Sequence, residues 1–80
     1  MASADELTNA LDAALVTARA EYRQAVIELA EGEAGKASLP DRELADVERI
    51  HHARTRVIAL DAAREELSRM IDEGAPLTSG

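Results

Sequence analysis

Gly32-Glu33-Ala34-Gly35-Lys36-Ala37-Ser38-Leu39-Pro40-Asp41 is the stretch that decides the fold. No apolar periodicity runs through residues 32–38, and two glycines loosen them. Gly32 is placed to take the left-handed conformation that ends a helix. Ser38-Leu39-Pro40-Asp41 then has the chemistry of a second start: serine caps, and proline in the first turn gives up an N–H that has no helical partner. Asp41, Glu43, Asp46 and Glu48 crowd what would be the positive end of the helix dipole. A break of this kind between two long helix-period segments predicts an all-α fold, an antiparallel two-helix hairpin.

Working outward, Ser3 followed by Glu6 has the spacing of a capping box. Leu7, Leu11, Ala14, Ala18, Tyr22, Ala25 and Leu29 recur every three or four residues, which puts them on one face of a helix. Leu15, Val26 and Ala30 widen that stripe. Downstream, Val47, Ile50, Ala53, Val57, Leu60, Leu67, Met70 and Ile71 follow nearly a 3.5-residue repeat, interrupted by Arg64. The first helix is expected over about residues 4–31, the loop over 32–38 and the second helix over 39–73. Gly74 and Pro76 end it, leaving a frayed tail at 74–80, all within one domain. A turn centred near residue 35 would set Glu21 beside His51 and Arg54, Arg23 beside Glu48, and Asp12 within reach of Arg64 or Arg56.

The interior of such a hairpin is thin. Seventeen of the apolar residues are alanine, Tyr22 is the single aromatic, and Phe and Trp are absent. A chain of 80 residues sits near the size at which one core struggles to offset chain entropy. Leu44, His51 and Ile58, seven residues apart, form a second and weaker row beside the main stripe of the second helix. A helix with a doubled stripe meets two neighbours. Two hairpins pairing into a dimeric four-helix bundle, or one hairpin docking onto a larger assembly, would satisfy both observations.

Charge and composition narrow the function. The net charge of −7 argues against a general nucleic-acid binder, because phosphate contacts need concentrated Lys and Arg. There is no cysteine for disulfides or thiolate metal sites. Met1-Ala2-Ser3-Ala4-Asp5-Glu6 lacks the basic and apolar regions of a secretory signal, and no run is long enough for a membrane span. A cytoplasmic location without membrane contact is the expectation. No glycine-rich phosphate loop or nucleophile–base pair stands out, so neither an enzyme nor a small-molecule substrate is expected.

Glu48-Arg49-Ile50-His51 is the sharpest chemical candidate, since a Glu-x-x-His spacing puts a carboxylate and an imidazole on one helical face. In layout this resembles the encapsulated ferritins, whose subunits are helical hairpins that build a metal site at a dimer interface. The resemblance implies Glu48 and His51 as ligands, with Glu21 or Glu28 supplying a further carboxylate. Read from the residues alone, His51 is a half-buried histidine salt-bridged to Glu21, and no metal or cofactor is expected. Arg49, His52 and Arg56 share another face and could bind RNA or an acidic partner. The layout is similar there to the repressor-of-primer family, in architecture only. Glu21, Glu28, Glu31 and Glu33 could instead imitate nucleic-acid phosphate and block a nucleic-acid-binding protein, the role of a small regulator or inhibitor.

The reading that absorbs most of the pattern is a structural or adaptor protein that self-associates or joins a larger assembly. Small alanine-rich hairpins of this kind recur among phage morphogenesis and accessory proteins. Association is expected through Leu44, Ile50, Val57, Ile58, Leu60 and Leu67 with Leu11, Tyr22, Val26 and Leu29.

Overall fold

The computed structural model describes residues 2–35 and 40–77, and side-chain surroundings for all of these except 40–44. Two helices, α1 (Ala4–Gly35) and α2 (Pro40–Glu73), pack along each other as an antiparallel hairpin with no strand among the described residues. At 1.5 Å per residue, helices of this length run about 50 Å, matching a molecule that measures 54 × 19 × 19 Å.

The helix ends follow from local chemistry. The Ser3 Oγ accepts a hydrogen bond from the Glu6 amide at 3.1 Å, while the Ser3 carbonyl accepts from the Leu7 amide at 3.0 Å. Asp5 and Glu6 lie in the first turn of α1, where the dipole favours them. At the other end of the chain, Gly74 takes φ +70° and its amide donates to the Ile71 carbonyl at 3.1 Å. The Ala75 amide donates to the Met70 carbonyl at 2.8 Å, completing a Schellman cap. The expected end of the second helix at Gly74 is the observed one.

The first helix is longer than its sequence suggests. Gly32 does not terminate α1, which continues through Gly35. A glycine costs a helix only about 1 kcal/mol, and here it lies at the seam between the helices. A Cβ on Gly32 would meet the Asp46 Oδ2 at 3.8 Å. The expected cap Ser38 and its neighbour Leu39 lie outside the described residues.

The longer α1 moves the fold-back toward α2, and the register shifts with it. Asp12 pairs with Arg64, Arg19 with Asp61 and Glu28 with Arg49. The Asp12–Arg64 partnership is as expected. Glu21 beside His51 is not, because each residue of α1 now faces one about two turns later in α2.

Alanine makes the tightest part of the seam. Ala18, Ala25 and Ala53 are buried with Leu15 and Leu67, and Ala18 has no exposed surface at all. Leu7, Leu11, Tyr22 and Leu29 of α1 are half-buried along the same line, as are Ile50, Val57 and Leu60 of α2. On α2 the seam takes Asp46, Ile50, Ala53, Val57, Leu60, Arg64 and Leu67, an unbroken 3.5-residue repeat. Val47 stands off it, 51% exposed. Arg64 belongs to the seam rather than interrupting it. Its stem is half-buried while its Nε donates to the Asp12 carboxylate at 2.8 Å and a terminal nitrogen donates to the Ser68 hydroxyl. No large side chain among the described residues is completely enclosed.

Candidate functional site

Three of the ion pairs bridge the helices, and they mark the two broad sides of the hairpin. Steps of seven residues stay on one side of a helix, so each pair identifies its row. On the first side, Glu28 binds Arg49. One heptad away from these lie Glu21 and Arg56, which with Arg49, His52 and Ala53 line an open depression. Everything prominent here is polar. The carboxylates of Glu21 and Glu28 face Arg49, His52 and Arg56, so this side is internally balanced.

The second side is marked by Arg19, whose guanidinium donates to the Asp61 carboxylate at 3.2 Å. Seven residues beyond Arg19 is Val26, and seven and fourteen before Asp61 are Arg54 and Val47. Ile58 lies one turn from Asp61, and the two share an open depression with Ala62, Arg64 and Glu65. Val26, Val47 and Ile58 are 42%, 51% and 55% exposed. This side spans both helices and, with Val16 at its edge, carries most of the large hydrophobic residues left exposed among the described residues. Val16, three residues before Arg19 as Ile58 is three before Asp61, stands exposed at the outer edge of the same side, and Ile27 is exposed on the back of α1 away from α2. Ile71 lies near the end of α2.

The residues expected to carry association divide accordingly. Ile50, Val57, Leu60, Leu67, Leu11, Tyr22 and Leu29 lie in the seam between α1 and α2. Ile58 and Val26 stay on the open second side, and Leu44 falls outside the described side chains. Val47 was expected in the main stripe of the second helix, and Val16 belonged to none of the rows read from the sequence.

The chemical candidates are not brought together within one chain. Glu48 and His51 are exposed on α2, while Glu21 lies across the seam among Arg49, His52 and Arg56. The longer α1 is the reason, since it carries Glu21 past His51. Among the described residues no group of three or more His, Asp or Glu side chains is placed to hold a metal ion. The acidic row is also partly spent: Glu28 is bound by Arg49 and accepts a hydrogen bond from Gln24 at 3.4 Å. Among the described residues no helix is long and apolar enough to cross a membrane.

Comparison with known proteins adds nothing to these features: no family model matches the chain, and no curated protein or solved structure matches it either.

Proposed function

We propose that this chain is a structural or adaptor protein whose working form is a dimer of hairpins, a four-helix bundle that serves as an assembly component. The observation that carries this reading is the side bearing Val26, Val47 and Ile58, which straddles both helices and is left open by the hairpin. Its size fits. A compact protein of this mass exposes about 4,700 Å², whereas this chain exposes 6042 Å². The difference, roughly 1,300 Å², exceeds the ~800 Å² that each partner contributes to a standard stable interface. The radius of gyration tells the same story, 17.3 Å against about 12 Å for a globule of this length.

Self-association stabilises the folded state by mass action, so the midpoint of thermal unfolding should rise with protein concentration. A hundredfold dilution is expected to lower it by several degrees in circular dichroism melts. A midpoint that is independent of concentration would contradict the reading.

A further inference from the structure

The open side of the hairpin has an order of charges along α2 that selects both its occupant and its orientation. Going along the row, His51 and Arg54 come first, Ile58 stands in the middle, and Asp61 and Glu65 follow. His51 and Glu65 are each seven residues from Ile58. Arg54 is four before it and Asp61 three after. A parallel neighbour of the same kind would set basic residue against basic and acid against acid. An antiparallel one, turned about a two-fold axis at Ile58, sets His51 against Glu65 and Arg54 against Asp61.

We infer that the occupant is a second copy of this chain, packed with its α2 antiparallel on the first α2 and with the two Ile58 side chains meeting at the two-fold axis. This rests on the self-associating reading above and specifies its interface. The axis that reverses α2 on α2 also reverses α1 on α1, so all four neighbouring helix pairs run antiparallel, as in an up-down bundle. Val47 and Val26 of each copy are covered along with Ile58, which removes these exposed aliphatics from water. Arg19 sits at about the level of the axis, where it can reach Asp61 of its own chain and Asp61 of the partner subunit. The contact is isologous, the same patch on both copies, as a closed dimer requires. The polar side bearing Glu28, Arg49, Glu21 and Arg56 is left facing solvent, and its charges are already matched within the hairpin.

Because the chain has no cysteine of its own, single introduced thiols report the geometry cleanly. Ile58 is 55% exposed in the hairpin, so replacing it leaves the monomer fold intact. Under mild oxidation Ile58→Cys should form a disulfide-linked dimer much faster than Ile27→Cys on the back of α1. His51→Cys and Glu65→Cys should cross-link to each other when mixed, and each only slowly with itself. Ile58→Asp should raise the dissociation constant about 30-fold or more, the loss expected at the centre of an interface. If His51→Cys and Glu65→Cys each cross-link with themselves instead, the antiparallel orientation is wrong. If sedimentation shows a dimer but Ile27→Cys cross-links as fast as Ile58→Cys, this interface is overturned while self-association stands. A monomer at every concentration overturns both.

Discussion

Gly32 and Gly74 are put to opposite uses. Gly74 holds φ +70° beyond the end of α2, a conformation that costs a residue with a Cβ about 1 kcal/mol or more. Nothing lies within 4 Å of where its Cβ would be, so any penalty comes from the backbone alone. Gly32 lies inside α1, where alanine is better by roughly 0.5–1 kcal/mol, and the added methyl would make an ordinary contact with Asp46. Gly74→Ala should therefore lower the thermal midpoint by a few degrees and Gly32→Ala should raise it by a similar amount. Both are read by circular dichroism at one protein concentration. A fall with Gly32→Ala would mean that α1 stops where its sequence invites it to stop. One short-range signal separates the two glycines: Pro76 follows Gly74 by two residues, whereas Gly32 is followed by Glu33-Ala34. Each follows an acidic residue at the end of a helical pattern, but Glu33-Ala34 let α1 continue, with α2 alongside Gly32.

Along an element, burial and not hydrophobicity decides what a side chain contributes. Leu15 and Val16 are adjacent aliphatic residues on α1, one 5% exposed and the other 68%. Leu15→Ala should cost about 2–3 kcal/mol, a fall of roughly 10–20 °C in the midpoint. Val16→Ala should leave the hairpin unchanged or slightly steadier, since alanine is the better helix former. Equal losses at the two positions would place the seam elsewhere on α1. The stripe on α1 was legible because its members are apolar and evenly spaced. On α2 the repeat was equally regular, but two of its positions are Asp46 and Arg64, which a search for apolar residues passes over. Val47 was taken into the seam for the same reason, being the apolar neighbour of the true member. The register was hidden one level deeper: the end of α1 fixes it, and a one-turn error there moves every cross-helix pair. Asp12 with Arg64 survives such an error because an arginine reaches over a turn of helix. Glu21 with His51 does not, and the carboxylate–imidazole cluster goes with it.

For the whole molecule the governing fact is shape. A rod 54 Å long and 19 Å across cannot enclose large side chains with only one neighbour per helix, whatever the quality of its seam. The cross-helix ion pairs do little to change this. Arg19 with Asp61 is half-exposed on both partners, and such pairs contribute about 0–1 kcal/mol each. They choose a register and leave the exposed aliphatics on the second side as they were. The hairpin was legible in the sequence from its break and its two stripes. The open side was legible only in part, through Ile58 and Val26, because its third member, Val47, was counted as core. Sedimentation equilibrium over a wide range of concentrations measures the consequence most directly. The account predicts a mass of twice 8.6 kDa at the upper concentrations, falling toward that of one chain on dilution. A single species of 8.6 kDa that stays helical and unfolds cooperatively throughout would contradict it.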